Sequence, residues 1–158
     1  MLAEMTLVNN RLNVSSKLRA AVLRAFGAKI GPGCLLHHPI RVKFPWNLEV
    51  GENCWLGDEV WIYNQDQVRI GSNVCISQRV FVTTGSHALE STMDLKTKPI
   101  LIEDGAWVSS MCVVQMGVVI GRNAVVTPNS VVHKSLAPNG IYGGNPCVLI
   151  KPRHIVPL

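Results

Sequence analysis

Aliphatic residues recur every six positions along two stretches of the chain. Ile70, Ile76 and Val82 form one column, and a longer column contains Ile102, Val108, Val114, Ile120, Val126 and Val132. An α-helix repeats its apolar face every 3.6 residues, and an ordinary strand repeats its face every second residue. A period of six fits neither, but it fits a short strand followed by a corner. The pattern therefore predicts a solenoid built from hexapeptide repeats.

Three hexapeptides make one triangular coil, so each aliphatic residue should stack on the residue eighteen positions later. This places Ile102 on Ile120 and Val108 on Val126. One coil cannot bury its own apolar side, whereas a stack of coils can. A β-sandwich is the alternative, but simple alternation along strands does not explain a six-residue register. The expected fold class is all-β, a parallel β-helix.

The breaks in the repeat define the organisation. Residues 1–29 form an N-terminal segment with a helix, residues 30–151 the β-helix, and residues 152–158 a tail. The repeat is irregular between Pro39 and Asn47. Residues 88–98 leave the register and should form one protruding loop, which ends at Pro99. Asn53, Asn73 and Asn123 fall at predicted corners, where the left-handed backbone conformation is needed and asparagine tolerates it.

Residues 15–26 should form the short helix, with Ser15 or Ser16 as its N-cap and Gly27 just after its end. We expect an apolar stripe of Leu18, Val22, Ala25 and Phe26 on it. One interpretation is a cap over the open end of the solenoid, which repeat proteins require. The other is a basic helix that makes peripheral contact with anionic lipid.

Composition narrows the function classes. The 158 residues fit one domain, and no apolar run is long enough to span a membrane. We see no secretory signal, and the five cysteines lack metal-ligand spacing, which together favour the cytoplasm. A net charge of +5 favours an anionic partner. Nucleic acid is not expected, because no basic stripe alternates with aromatic residues.

His87 lies where the regular coils end and the loop begins. A rigid solenoid carries its chemistry on such departures from the repeat. Because imidazole exchanges its proton near neutral pH, His87 is a candidate general base.

Several stretches resemble the hexapeptide-repeat acyltransferases, and among them the O-acetyltransferases of colanic-acid and other surface-polysaccharide pathways. The matching stretches lie at residues 26–31, 61–64, 70–78, 84–87, 98–100, 102–108 and 143–146. The resemblance implies a left-handed β-helix, a homotrimer, and acetyl-CoA as co-substrate in a groove between neighbouring chains, with no metal. The implied acceptor is a sugar, a nucleotide-sugar or a lipid-linked sugar.

The resemblance also implies roles for individual residues. His87 aligns with the catalytic base, and the backbone N–H of Ser110 faces the thioester oxygen; Ser86 and Asn64 align with the acceptor side. The resemblance implies that the coenzyme is bound by Trp107, Ser109, Lys134 and Lys151.

The chain departs from the usual family pattern in the coenzyme groove. Common glycines are replaced by Glu103 and Ser109. The usual Pro-Gly and Thr-Lys-Asp motifs are replaced by Gln115-Met116-Gly117 and His133-Lys134-Ser135.

Two other functions use the same solenoid. One is a non-catalytic trimeric scaffold, and the other is a zinc hydratase of the γ-carbonic-anhydrase kind, for which the closely spaced histidine pair is missing. A serine acetyltransferase is disfavoured, because no large N-terminal helical domain is present.

Overall fold

The computed structural model describes residues 15–155, and these form a parallel β-solenoid with three flat sides. We call the sides faces A, B and C and number the strands in chain order. Face A contains β1 (Lys29–Ile30), β4 (Leu48–Val50), β7 (Val68–Ile70), β12 (Ile100–Ile102) and β15 (Val119–Ile120). Face C contains β3 (Ile40–Val42), β6 (Val60–Tyr63), β9 (Phe81–Thr83), β14 (Val113–Val114) and β17 (Val131–Val132).

Face B is the longest side. It contains β2 (Leu35–Leu36), β5 (Trp55–Leu56), β8 (Cys75–Ile76), β13 (Trp107–Val108), β16 (Val125–Val126) and β18 (Gly140–Gly143). The last strand, β19 (Val148–Pro152), folds back antiparallel on β18. The C-terminal part of the chain therefore extends face B.

The stacking predicted from the period is confirmed. Ile102 pairs with Ile120, and Val108 pairs with Val126, in parallel register. The first coils are longer, since Val50 pairs with Ile70, twenty residues on. A 3-10 helix at Pro45–Asn47 occupies the irregular stretch. The apolar core is one continuous column of aliphatic side chains inside the coils.

The corners use asparagine and glycine for different reasons. Asn53, Asn73 and Asn123 have φ values of 54°, 57° and 56°, as predicted for left-handed corners. Gly121 instead lies where the next coil approaches closely, because a Cβ there would be 2.5 Å from the backbone nitrogen of Pro138. Contact between coils, rather than positive φ, requires glycine at this position.

Helix α1 (Ser16–Ala25) closes the open end of the stack. The Arg19 guanidinium donates to the Leu36 carbonyl at 2.6 and 2.9 Å, and Arg24 donates to the Ile30 carbonyl at 2.7 and 2.9 Å. These bonds satisfy the edges of β2 and β1, which would otherwise lack partners. The packing of α1 agrees with the cap interpretation, Ser15 is its N-cap, and Gly27 after it has a left-handed conformation.

The predicted apolar stripe of α1 is wrong. Its buried residues are Arg19, Ala20 and Leu23, whereas Leu18 and Phe26 are about half exposed. Helical spacing alone treated Arg19 as a solvent residue, but its guanidinium is needed at the strand edge. The N-terminal residues 1–14 and the last three tail residues lie outside the described range.

The five cysteines of the chain are free thiols. Cys54 and Cys112 are buried at the small position of their hexapeptides. Burial raises the pKa of the Cys54 thiol to about 11, so it stays protonated and packs as a small apolar group. Along residues 15–155 no helix is both long and apolar enough to cross a membrane.

Candidate active site

The residues that leave the solenoid form a β-hairpin. Its strands are β10 (Gly85–His87) and β11 (Leu95–Thr97), paired antiparallel, so the protruding segment begins before the predicted loop 88–98. Thr84 anchors its base: its N–H donates to the Tyr63 carbonyl at 3.3 Å, and its hydroxyl accepts from the Asp66 N–H at 2.9 Å. The hairpin emerges at the corner between faces C and A, which we call the C/A edge.

The hairpin fixes the protonation pattern of His87. Its Nδ1 lies 2.7 Å from the Met93 carbonyl oxygen across the turn. A carbonyl oxygen only accepts, so Nδ1 carries a hydrogen, and in the neutral imidazole it is Nε2 that carries the lone pair. The His87 side chain is exposed, and its Nε2 is thus in the form that a general base requires. Ser86 precedes it and is half-buried.

Trp107, Ser109 and Ser110 lie elsewhere, on face B and at the corner between faces B and C, which we call the B/C edge. Trp107 faces outward and is 45% exposed, and its indole N–H donates to the Ser77 hydroxyl at 2.9 Å. Ser109 is buried, and its N–H donates to the Val126 carbonyl at 2.9 Å. Sequence reasoning missed Ser77, because the contact depends on which coil stacks below Trp107.

Ser110 presents a free backbone donor. Its carbonyl accepts from the Asn129 N–H of the next coil at 3.1 Å, but within residues 15–155 its own N–H has no acceptor. The corresponding position one coil on is Pro128, which has no N–H at all. The solenoid does not need this donor for its own hydrogen bonding, so the donor is available to a ligand.

The two lysines lie on different edges. Lys151 is on β19 and pairs with Ile141, so it belongs to the same outward column of face B as Trp107 and Val125. Lys134 follows β17 and lies at the C/A edge of the last full coil, exposed to solvent. The predicted site residues therefore form two groups, one on each side of face C.

The side chain of Asn64 is used in hydrogen bonds within the solenoid. It is fully buried, its amide nitrogen donates to the Phe44 carbonyl at 2.7 Å, and its amide oxygen accepts from the Phe44 N–H at 3.0 Å. Both polar ends of this side chain are occupied by the neighbouring coil.

A pocket of about 570 Å³ follows the C/A edge below the base of the hairpin. Lys98, Pro99, Leu101 and Arg69 line it, and the side-chain nitrogen of Gln67, buried nearby, has no hydrogen-bond partner in the described part of the chain. The pocket combines charged groups of both signs, since Asp66 also lines it and Arg69 pairs with Glu49 at 3.3 Å, with apolar walls. Residues 15–155 contain no cluster of three or more metal-ligating side chains.

Similarity to known proteins resolves the family. No family model matches the chain. A protein of Escherichia coli named as a colanic acid biosynthesis acetyltransferase, WcaF, is 38% identical over 136 residues, which cover 85% of this chain and 75% of that protein. The chain belongs to the hexapeptide-repeat acetyltransferases.

Two further acetyltransferases are similar to this chain over most of its length. The galactoside O-acetyltransferase of Escherichia coli is 29% identical over 137 residues, 84% of this chain and 68% of that enzyme. A hexapeptide-repeat acetyltransferase of Vibrio cholerae, solved with acetyl-CoA, superposes with a TM-score of 0.89 at 24% identity, covering 98% of this chain and 85% of the other. The left-handed parallel β-helix implied by the sequence resemblance is confirmed for this acetyltransferase.

Proposed function

We propose that the protein transfers an acetyl group from acetyl-CoA to a sugar hydroxyl, with His87 as the general base. The observation that carries this is the bond from His87 Nδ1 to the Met93 carbonyl, which leaves Nε2 free to accept a proton. Relatives named for colanic acid biosynthesis and for galactosides support a sugar acceptor. The solved complexes of family members with acetyl-CoA and coenzyme A support the donor.

The chemical step follows from these groups. His87 Nε2 takes the proton of the acceptor hydroxyl while that oxygen attacks the thioester carbonyl carbon. The Ser110 N–H donates to the oxyanion of the tetrahedral intermediate, where the developing charge is largest. The C–S bond then breaks, the acetyl group stays on the sugar oxygen, and the His87 imidazolium returns its proton to the coenzyme thiolate. No acetylated residue is needed, because both substrates meet directly.

The active site requires a second copy of the chain. His87 lies at the C/A edge and Ser110 at the B/C edge, so the width of face C separates them within one chain. Three chains arranged around an axis with face C inward would bring the C/A edge of each against the B/C edge of its neighbour. We therefore propose a homotrimer in which His87 of one chain acts with Ser110 of the next.

The surfaces of the three sides support that arrangement. Beyond Arg41, the outward residues on face C are apolar, with Trp61 40% exposed and Phe81, Val113 and Val131 half-buried. Outward residues on the first three strands of face A are charged, with Glu49 2.7 Å from Lys29 and 3.3 Å from Arg69, and Leu101 and Val119 continue the column. Association favours burial of exposed apolar surface, so face C is the side expected to be buried. A surface of paired charges, such as that of face A, is favoured in water.

The same geometry would form the coenzyme groove. Trp107, Ser109 and Lys151 would line its face B side, and Lys134 and Lys98 would line its C/A side from the neighbouring chain. Lysines bind the phosphates of coenzyme A as point charges. Because the amide of Asn64 is used by Phe44, we leave Asn64 out of the site and keep Ser86 beside His87 on the acceptor side. We propose that the reaction serves surface-polysaccharide synthesis and takes place in the cytoplasm.

Replacement of His87 by alanine tests the proposal. With acetyl-CoA and a panel of free, nucleotide-linked and lipid-linked sugars, we expect His87→Ala to lower kcat by ~10²–10⁴-fold, the usual contribution of a general base. Calorimetric affinity for coenzyme A should not change. His154→Ala, which removes an exposed histidine of the tail, is the matched control.

Full activity of His87→Ala would remove this residue from the mechanism. A protein that transfers acetyl to no member of the panel would instead favour a non-catalytic trimeric scaffold.

A further inference from the structure

Lysine, tyrosine and threonine form an outward ladder along the C/A edge, on the side of the hairpin toward α1. The Lys43 N–H donates to the Ile62 carbonyl at 3.0 Å, which sets Lys43 beside Tyr63. Tyr63 pairs in turn with Thr83 of β9. Lys43 is exposed, and Tyr63 and Thr83 are half-buried. The ladder is thus an accessible strip that crosses three successive coils.

The ladder combines a cation with aromatic faces. The Lys43 ammonium lies 5.6 Å from the Tyr63 ring centroid and 5.9 Å from that of Phe44. The Phe44 and Trp46 rings are 5.2 Å apart and tilted by 47°, and Trp46 is 60% exposed. Aromatic rings of this kind pack against sugar rings, and their faces hold the ammonium in place.

The charge on Lys43 is not neutralised by the protein. Lys29, Arg79 and Arg122 each lie within 3.2 Å of a carboxylate oxygen. Lys43 forms no ion pair with any residue between 15 and 155, and its contacts in that range are with aromatic rings. An ammonium held on aromatic faces without a carboxylate is ready to bind an anion.

The ladder leads directly to the catalytic hairpin. Thr83 is followed by Thr84, whose N–H bonds to the Tyr63 carbonyl at 3.3 Å, and by β10 with His87. The Gln65 side chain packs against Gly85 at the hairpin base. Strands in a sheet are spaced by about 4.8 Å, so Lys43 lies about 10 Å from the coil that carries the hairpin. A hexose bearing one phosphate group reaches over two coils.

We propose that the acceptor is a hexose with a phosphate ester at its anomeric carbon. The sugar ring packs on Tyr63 and Phe44, the phosphate binds Lys43, and a hydroxyl at the other end of the ring reaches His87. This inference rests on the proposed function, and it adds the chemical class of the acceptor. Lys43 is the residue that selects for the phosphate.

Binding measurements test this without turnover. The trimer with bound coenzyme A is titrated calorimetrically with the 1-phosphates and the methyl glycosides of glucose, galactose, mannose and fucose. We expect at least one 1-phosphate to bind about tenfold more tightly than its methyl glycoside, the worth of one charge-assisted contact. Lys43→Met, which keeps an unbranched apolar side chain, should abolish this difference. Lys17→Met, at an exposed lysine of α1, should preserve it.

Two results would overturn the inference. One is equal binding, or no binding, of the phosphate and methyl members in all four pairs. The other is a preference for phosphate that Lys43→Met leaves unchanged. The phosphate can come from a nucleotide or a lipid carrier, and titration of UDP-linked and farnesyl-diphosphate-linked forms of the preferred hexose identifies the tighter source.

The outcome separates this inference from the proposed function. Lys43-dependent binding of a hexose phosphate with no acetyl transfer would contradict the proposed function only. Acetyl transfer to methyl glycosides, with no preference for the phosphate, would contradict this inference only.

Discussion

Individual residues in this acetyltransferase gain their roles from the hydrogen bonds that the solenoid leaves unused. At the B/C edge one corner position in successive coils keeps an unused N–H. The Met111 N–H bonds back to the Gln78 carbonyl at 3.0 Å and the Ser109 N–H bonds forward to the Val126 carbonyl, but Ser110, like Asp58 and Gln78 in the earlier coils, donates to no residue in the described range. A free N–H on a rigid backbone is an oxyanion donor that needs no reorganisation.

Ser110→Pro removes this donor and little else. Proline already stands at the corresponding position of the next coil, Pro128, so the backbone there accepts it. We expect kcat to fall by ~10²–10³-fold, the cost of one oxyanion donor, with the melting temperature nearly unchanged. Gln78→Pro, at the same edge one coil earlier, is the control for a general effect of proline. Comparable losses in both variants would contradict a specific role for Ser110.

At the scale of elements, the hairpin is the one departure from the structural repeat that the proposed mechanism uses. Its turn places the Met93 carbonyl 2.7 Å from His87 Nδ1, with Met93 in the left-handed conformation at φ 58°. The turn is closed by the bond from the Ala88 N–H to the Asp94 carbonyl at 2.9 Å. The conformation of the turn, rather than any side chain in it, therefore selects the tautomer of His87.

Replacing residues 89–93 by Asn-Gly should separate the pairing of the hairpin strands from the bond between Met93 and His87. A two-residue turn of this type keeps Ala88 opposite Asp94 and preserves the pairing of β10 with β11. It removes the Met93 carbonyl, so His87 loses the fixed tautomer, and we expect kcat to fall about tenfold or more with the trimer intact. Leu89→Ser, at the exposed tip, should retain activity. An equally active short-turn variant would show that the Met93 bond does not matter.

At the scale of the whole molecule, the proposed trimer follows from the position of face C between the two groups of candidate site residues. One group lies at each of its two edges, and no rearrangement of a rigid solenoid can bring these edges together. Closed rotational symmetry provides contacts between the edges of different copies. Catalysis and assembly are therefore linked in the proposed mechanism.

Mixed trimers test this link. His87→Ala and Ser110→Pro trimers should each be nearly inactive. After dissociation and joint reassembly, each site draws one residue from each of two neighbours, so about a quarter of the sites should be intact. Activity should recover to that fraction, with exchange verified by native mass spectrometry of differently tagged chains. Exchange without recovery would mean that His87 of one chain does not act with Ser110 of its neighbour.

The sequence by itself determined the solenoid, because a six-residue period of aliphatic side chains has a single structural solution. It also located the capping helix and the point at which the repeat breaks, since both depend on local signals such as Ser15, Gly27 and the lost register after His87. Resemblance to a family then supplied the candidate residues, but their arrangement depends on contacts between coils.

Only the tertiary structure decided which residues meet. The first coils are twenty residues long rather than eighteen, and that difference places Lys43 beside Tyr63. Arg19 is buried because a strand edge needs its guanidinium, which helical spacing cannot indicate. Asn64 is used by Phe44, and His87 is separated from Ser110 by a whole face. Each of these depends on stacking between residues far apart in the chain, and local patterns carry no information about such stacking.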